Sequence, residues 1–541
     1  MLPIPRHAGC GVWRRLTVLA AVACVLCGAL VRGQEPAPFV RRSSAPLPLS
    51  TDRRIIRQQR LDVAAPVLLA DVNRSRVLQL DLFVDVTFRA LRTRLDATVG
   101  ATSWTGVLEG YPGSSVAFAM VGNTLVGHVT SPFGVFNIEQ APDGEYVVQQ
   151  IDEGALSPGE QDARVSPPDP NVSAPRAATT RSVDSGAVLD LMVLYSQDAL
   201  TGWGSEARAR ATIDVLVADT NQALRVSGAA TSVRLVHSGV VSYEETGDSS
   251  VDLSRLQSAT DGFLDEVHPL RDLHAADTVM LVTELVDPAA CGRAYLLGAR
   301  SLATSAFSWV GRRCTATSRP FAHELGHTLG VAHDWYETTF SGAFVYSKGY
   351  VSIPGRFMDV MALNNLCRDV GMTCAGLMRY SNPALTYDGR PTGVPAGTNV
   401  SCTPANRDNP ECDADAAATI NLMAPVVAAF RNSEDALSAR QILPGGSKRS
   451  PSGRYRLALQ TDGNLVLYDD EVGVDLWSTG TDGTVVSQAL MQTDGNFVIY
   501  DAGGAAIWST DTQGHQGARL AVQDDGNLVV YRADGLAVWA R

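Results

Sequence analysis

The sequence predicts a multidomain chain in which an α/β (α+β) unit is preceded by a β-rich segment and followed by an all-β unit of prism type. Three observations carry that expectation. β-branched apolar runs broken by glycine and proline fill the first third; a buried-strand pattern followed by helical periodicity opens at Val188; and a unit closing in tryptophan recurs three times before the end. With 541 residues and about 150 per domain, three or four folded units are expected. Hydrophobic content of 45% and charged content of 19% describe globular folds, not disorder. The net charge of −13 offers no basic surface, so nucleic acid is not an expected partner.

The first element is a processing signal over residues 1–33. Arg6, Arg14 and Arg15 precede an apolar run from Leu16 to Val31 that is short for a membrane span, and Val31-Arg32-Gly33 ends in a small residue before Gln34. Cleavage near Gly33 is expected, with an uncleaved anchor as the alternative and lipidation at Cys24 as a lesser one. No other stretch is long and apolar enough to cross a bilayer. The expected destination is therefore secreted and extracellular, with no stable membrane span once the signal is removed.

Residues 34–184 come next and contain no cysteine. Val77 to Phe88, Ser114 to Val129 and Tyr146 to Ile151 alternate or run apolar between turns, which predicts a small β-rich unit. Ser157 to Gly186 is rich in Pro, Ser, Asp and Ala and holds Arg176 and Arg181 as candidate cleavage points, so it reads as a linker. A propeptide, and hence a zymogen, is the natural reading; a permanent β-domain is the alternative. Lacking cysteine, it cannot cap a metal with a thiolate, so latency must come from another ligand or from steric cover.

The catalytic unit is expected over residues 185–432. Val188 to Tyr195 suits a buried strand. Glu206 to Val226 sets Ile213, Leu216, Val217 and Leu224 on one helical face, and Ser232 to His237 and Thr278 to Thr283 read as further strands. A helix follows that carries His323-Glu324-Leu325-Gly326-His327-Thr328-Leu329-Gly330-Val331-Ala332-His333, after which Trp335 to Cys412 reads as irregular and Asp413 to Asn432 as a closing helix.

That motif carries the chemistry. Residues four apart stack on one helical face, so His323 and His327 can both address one ion, about 2.0 Å from each nitrogen. Gly330 falls where the helix should stop, and a left-handed glycine there turns the chain back to deliver His333 as third ligand. Three protein ligands leave the fourth position open, as a catalytic zinc requires. Zinc lowers the pKa of a bound water, and Glu324 beside it can accept the proton as the oxygen attacks a peptide carbonyl. A His-Glu-x-x-His pair alone can arise on any polar helix. Here three of the nine histidines crowd together with glutamate and glycine at the positions the mechanism needs.

His323 to His333 match H-E-x-x-H-x-x-G-x-x-H, and the segment resembles the metzincin zinc proteases. The resemblance implies one catalytic Zn2+, protein or peptide substrates, and a methionine turn beneath the metal, for which Met361 is preferred over Met378. Cys291-Gly292-Arg293-Ala294-Tyr295-Leu296, His333-Asp334-Trp335-Tyr336-Glu337, Val360-Met361-Ala362 and Tyr380-Ser381-Asn382-Pro383 look like the secreted bacterial peptidyl-Asp metalloendopeptidases, which implies cleavage before acidic residues. Two positions depart from that group: Leu363 stands where a tyrosine commonly follows the methionine, and Arg293 stands where an apolar residue is expected.

Six cysteines remain after the signal, Cys291, Cys314, Cys367, Cys374, Cys402 and Cys412. An even count in an exported chain indicates disulfides, and proximity favours Cys291 with Cys314, Cys367 with Cys374 and Cys402 with Cys412 among fifteen pairings. A zinc-thiolate cluster is the competitor, without the Cys-x-x-Cys spacing to support it.

Residues 433–541 hold the repeat. Leu457 to Tyr468 recurs as Leu490 to Tyr500 and Leu520 to Tyr531, with Trp477, Trp508 and Trp539 closing each unit. Short alternating strands around an Asp-Gly turn predict a cyclic all-β unit of pseudo-threefold symmetry. In the Q-x-D-x-N-x-V-x-Y pattern the polar side chains gather on one strand face, offering donors and acceptors to sugar hydroxyls while valine gives an apolar contact. Three sets are intact: Gln460, Asp462, Asn464, Val466, Tyr468; Gln492, Asp494, Asn496, Val498, Tyr500; and Gln523, Asp525, Asn527, Val529, Tyr531. The segment resembles the bulb-type mannose-binding lectins, which implies mannose-type glycans as partners. The competing reading makes Asp-Gly-Asn turn chemistry and the tryptophans core packing; for the tryptophans packing is favoured.

The expectation is a secreted zinc-dependent endopeptidase whose lectin tail raises its local concentration on a glycan surface. The alternative is a carbohydrate-binding adhesin with an inactive protease-like unit. Glu324 favours the first, because an inactive scaffold has no need of a general base.

Overall fold

The computed structural model describes residues 39–41, 47, 52–64, 76–98, 101–141, 143–153, 163–165, 187–284, 287, 290–298, 303–338, 340–398, 412–431, 441–442, 444–450, 454–492, 494–515, 518–523, 525–532 and 536–541. The signal segment 1–33, Arg176, Arg181 and Cys402 lie outside them.

The β-rich N-terminal segment closes on itself. Strands β1 (Phe39–Arg41), β2 (Ile55–Val63), β3 (Val77–Phe83), β4 (Val86–Thr98), β5 (Ala101–Leu108), β6 (Ser115–Val121), β7 (Thr124–Ser131), β8 (Gly134–Gln140) and β9 (Tyr146–Ile151) form a barrel in the order β1-β2-β9-β8-β7-β6-β5-β4-β3. Its neighbours pair antiparallel except β1 with β3, the parallel contact that closes the ring. Phe39, Leu80, Trp104, Phe118 and Phe136 fill the interior. The expected runs Val77 to Phe88 and Ser114 to Val129 each fold as two strands around a tight turn. β6 is apolar on both faces for a reason: Val116 and Phe118 enter the barrel, while Ala117 and Ala119 pack outward against Ala211 and Val215 of the next unit.

That unit has a six-stranded sheet. β10 (Ala163–Val165), β11 (Ala187–Ser196), β12 (Thr231–Val241), β13 (Thr278–Thr283), β14 (Gly292–Leu296) and β15 (Phe307–Gly311) lie in the order β10-β14-β15-β13-β11-β12. All neighbours are parallel except β14 with β15. The apolar run of β11 serves two cores: Leu191, Val193 and Tyr195 face one, Met192 and Leu194 the other. On the first face lie the long helix Glu206–Val226, capped by Ser205, the active-site helix Arg319–Thr328 and the helix Ala416–Val427. Ile213, Leu216, Val217 and Leu224 are buried as the helical pattern requires. The closing helix is shorter than the expected Asp413 to Asn432, because Asp415 caps it by accepting from the Ala418 amide.

One expectation is corrected within the linker: residues 163–165 are not wholly loop but pair in parallel with β14, Ala163 opposite Ala294 and Val165 opposite Leu296. Three residues are too few to show an alternating pattern, and the pairing is bought by the open edge of β14 rather than by local propensity.

The barrel docks on the long helix, and on the residue that precedes the helix Arg319–Thr328, through polar groups. Ser115 donates to Asp219, Gln222 donates to Gly106 O, Arg208 pairs with Glu139 at 2.6 Å, and His128 Nδ1 meets Ser318 Oγ at 2.8 Å. His128 is buried at this junction, and burial pulls its pKa down to about 3, which keeps the ring neutral.

At the C-terminus each repeat is one antiparallel sheet. The first contains Tyr455–Leu459, Leu465–Asp469 and Val474–Ser478, the second Val486–Met491, Phe497–Asp501 and Ala506–Ser509, and the third Arg519–Val522, Leu528–Tyr531 and Ala537–Ala540. Trp477, Trp508 and Trp539 meet edge to face, with centroids 5.7–6.0 Å apart. They pack against one shared core with Leu457, Leu467, Ile499 and Val530, the packing role favoured from sequence.

Candidate active site

The active-site helix ends in the way its sequence prescribes. Val331 N donates to Gly326 O (3.0 Å) and Gly330 N to His327 O (2.9 Å), with Gly330 at φ 82°. These are the two hydrogen bonds of a Schellman cap, and the left-handed glycine reverses the chain so that His333 returns to the helix. His323, His327 and His333 converge, all buried. His333 Nε2 lies 3.1 Å from His323 Nε2 and 3.2 Å from His327 Nε2.

The far sides of two rings fix their tautomers. His323 Nδ1 contacts Val360 O at 2.7 Å and His327 Nδ1 contacts Val331 O at 2.8 Å. A carbonyl only accepts, so each Nδ1 carries the proton and each Nε2 presents a lone pair to the shared centre. Converging lone pairs need a cation, and nitrogens held tetrahedrally at about 2.0 Å from zinc would lie about 3.3 Å apart. The donor set therefore fits a zinc ion.

The surroundings hold the cluster in place. Asp334 accepts from Tyr336 N (2.9 Å) and Leu363 N (3.0 Å), tying the third histidine to the turn around Met361. Met361 is fully buried, and a methyl group built on Gly326 would strike its sulfur, so this methionine lies directly against the active-site helix. Met378 is buried in the same core. Tyr380 OH donates to Ala322 O (2.8 Å) and braces the helix from behind.

Glu324 is 2% exposed and lies against β14: a methyl built on Gly292 would collide with its carboxylate. β14 is also the strand whose outer edge takes β10. A cleft of 660 Å³ opens beside His323 and Gly292, and its opposite wall comes from the barrel, including Phe133 and Glu153. Two of the expected disulfides are formed, Cys291–Cys314 and Cys367–Cys374, and both flank this cleft. Cys412 is disulfide-bonded as well.

The three repeat sites are near copies of one another. Gln460, Gln492 and Gln523 each donate Nε2–H to Tyr468, Tyr500 and Tyr531 at 2.6 Å. Asp462, Asp494 and Asp525 are exposed, and each accepts the amide of Asn464, Asn496 or Asn527 at 2.9–3.0 Å. Val466, Val498 and Val529 are nearly covered beside them. The third copy differs at its asparagine. Asn464 and Asn496 accept from Thr479 and Thr510, whereas Asn527 Oδ1 accepts from Leu528 N, because Arg541 stands two residues after Trp539, where the other copies have the threonine.

Residues 185–368 match the reprolysin-like metallopeptidase family M12B. The chain is a metalloendopeptidase. A peptidyl-Asp metalloendopeptidase of Xanthomonas campestris pv. campestris is 29% identical over 336 residues, covering 58% of this chain and 76% of the relative. One from Stenotrophomonas maltophilia is 27% identical over 327 residues, covering 59% and 75%. Among solved structures, a Marasmius oreades lectin aligns with 40% sequence identity over 19% of this chain and 85% of the lectin, with a TM-score of 0.18.

Two residues of this metalloendopeptidase's cleft escape a motif reading. Gly292 stands inside the run Cys291 to Leu296, yet nothing local reveals that its missing side chain makes room for Glu324, which lies 32 residues on. Arg319 precedes His323 by one helical turn on the same face, and that spacing is the signal that could have found it.

Proposed function

We propose that the chain is a secreted, zinc-dependent endopeptidase that cuts before acidic residues and is carried to mannose-type glycans by its C-terminal repeats. The convergence of three imidazole Nε2 atoms, next to a glutamate facing an edge strand, carries this reading. His323, His327 and His333 would hold one zinc ion, which when bound supplies Lewis acidity and lowers the pKa of water towards neutrality. Glu324 is the general base: its carboxylate takes a proton as the water oxygen attacks, and returns it to the departing amide nitrogen. Met361 forms the floor, and His323 Nδ1–H and His327 Nδ1–H keep donating to the Val360 and Val331 carbonyls, so neither ring turns. Substrate lies extended along the edge of β14 that residues 163–165 occupy in this structure, once the propeptide has left it.

The name of the relatives supports an acidic residue at the cut. Residues 1–33 would direct export, and the disulfides suit an oxidising compartment. Residues 34–184 would be the propeptide: the barrel walls the cleft and residues 163–165 take the strand edge that substrate needs, so latency rests on steric cover and not on a thiolate. The domains would then run 34–184, 185–432 and 433–541. In the repeats, the Gln, Asp, Asn and Tyr of each copy would hold sugar hydroxyls, with the valine under the ring.

The test is hydrolysis of casein and of an Asp-containing peptide panel by the secreted protein, with and without a zinc chelator, beside Glu324→Ala. Chelation should abolish cleavage, and Glu324→Ala should lower kcat by about 10³-fold while metal content is kept. Undiminished cleavage by Glu324→Ala would remove the proposed base. Retention on immobilised mannose, competed by free mannoside, tests the tail.

A further inference from the structure

The cleft beside His323 contains a cation that the hydrolytic chemistry does not use. Arg319 opens the active-site helix, four residues before His323 and so on the same face. Its Nη2 donates to Asp359 O (2.6 Å) and Ala362 O (2.7 Å), which aims the guanidinium along the turn that carries Met361. Its Nη1 is buried and makes no hydrogen bond among the described residues. A planar fork with one nitrogen anchored and the other open is suited to a carboxylate, and an open buried N–H is costly when nothing fills it.

A carboxylate already stands opposite. Glu153 follows the last barrel strand and lines the same cleft as Arg319 and His323. Gly376 lies between them: a methyl built there would collide with Arg319 Nη1 and come 3.1 Å from Glu153 Oε2. The two charges therefore face each other across a position kept free of a side chain. Burial raises the Glu153 carboxyl above its usual range, and the Arg319 charge opposes that rise. Arg356 is the other cation lining the cleft, but it is exposed.

We propose that Arg319 is the residue that reads the acidic side chain of a substrate next to the scissile bond, and that Glu153 is the chain's own acidic occupant of that subsite. This rests on the reading that the enzyme cuts before acidic residues. It adds which group sets that preference and why the N-terminal segment fits the cleft. A structural role for Arg319, pinning the turn from Asp359 to Ala362, is compatible with the hydrogen bonds but would leave substrate preference untouched.

The experiment uses the zinc-loaded secreted protein, after release of its propeptide for the Arg319 variants and with the propeptide in place for the Glu153 variant, and a matched pair of quenched-fluorescent peptides with Asp or Asn after the scissile bond. The wild type should prefer Asp. Arg319→Gln should shrink the Asp-to-Asn ratio of kcat/KM by about 10–100-fold, the worth of a charge-assisted hydrogen bond, and Arg319→Lys should retain part of it. Glu153→Gln should lower KM for the Asp peptide several-fold by vacating the subsite. A wild-type ratio retained in Arg319→Gln would overturn the assignment, as would an unchanged KM in Glu153→Gln for the occupant. Should Arg319→Gln not fold, the Lys and Glu153 variants still decide. Equal rates on both peptides in the wild type would instead sink the acidic-cleavage reading itself, a result distinct from a preference that survives loss of Arg319.

Discussion

The histidine cluster and the C-terminal repeats are built in opposite ways. The cleft brings together one buried set of groups from distant parts of the chain: His323 and His327 on a helix, His333 after a turn, Gly292 on an edge strand and Glu153 from the barrel. The repeat gathers each Gln-Asp-Asn-Val-Tyr set within about a dozen residues and does so three times, with the aspartate of each set exposed. Bond cleavage needs groups fixed to a fraction of an ångström away from water, so one displaced atom is felt everywhere. A contact repeated three times at a surface tolerates local variation, such as the altered asparagine contact of the third copy, because the other copies remain.

The comparison breaks most sharply at the tryptophan triad, where the repeats cease to be independent. Trp508→Ala removes a ring touching both Trp477 and Trp539 and should destabilise the whole repeat unit by about 3 kcal/mol, the low end for a large aromatic because the ring is only half-buried. Denaturant unfolding should show that loss, and peptide hydrolysis should be unaltered. An unchanged transition would mean that each sheet stands alone.

Next in size is Gly292→Ala. Its methyl must displace the Glu324 carboxylate, so kcat should fall about 10²-fold with little change in melting temperature. A normal kcat would show that Glu324 does not act from the position it holds against β14.

A smaller effect is expected at one repeat site. Asp494→Ala deletes the acceptor of the Asn496 amide in the second copy only, so titration should count two sugar sites instead of three. Retention on a mannose polymer should weaken less than about tenfold, since two sites still act together. Complete loss of retention would make the second copy the sole functional site.

The smallest effect concerns the barrel junction. Burial raises Asp219 to about 6, against the opposing hydrogen bonds of Ser115 and Ser318. A carboxyl whose folded pKa lies above the unfolded value of 3.8 favours the folded state at low pH and loses that contribution as pH rises through about 6. Asp219→Asn should therefore raise the melting temperature at pH 8 and have a smaller effect at pH 5. A gain that does not depend on pH would mean that Asp219 does not titrate in this range.

Legibility followed the distance between the residues that make each feature. The convergence of His323, His327 and His333 was legible because helical periodicity and a left-handed glycine are local rules, and the cap at Gly330 forms by those rules. The helix Glu206–Val226 and the strand Thr278–Thr283 fall where apolar spacing puts them. The repeat spacing, the tryptophan packing and two cysteine pairings were readable for the same reason. The closure of nine strands into a barrel was not, because β1 meets β3 through a single parallel contact that leaves no local trace.

By itself, then, the sequence determined which imidazoles converge, which carboxylate follows the first of them, and that the Gln-Asp-Asn-Val-Tyr set recurs three times. Only the tertiary structure decided what surrounds that chemistry. It set the barrel as one wall of the cleft, residues 163–165 along the edge of β14, Gly292 beneath Glu324, and Glu153 opposite Arg319. The physical reason is chain separation. Contacts within one or two turns follow from backbone geometry, whereas a pairing across more than a hundred residues depends on how whole units bury their faces against each other.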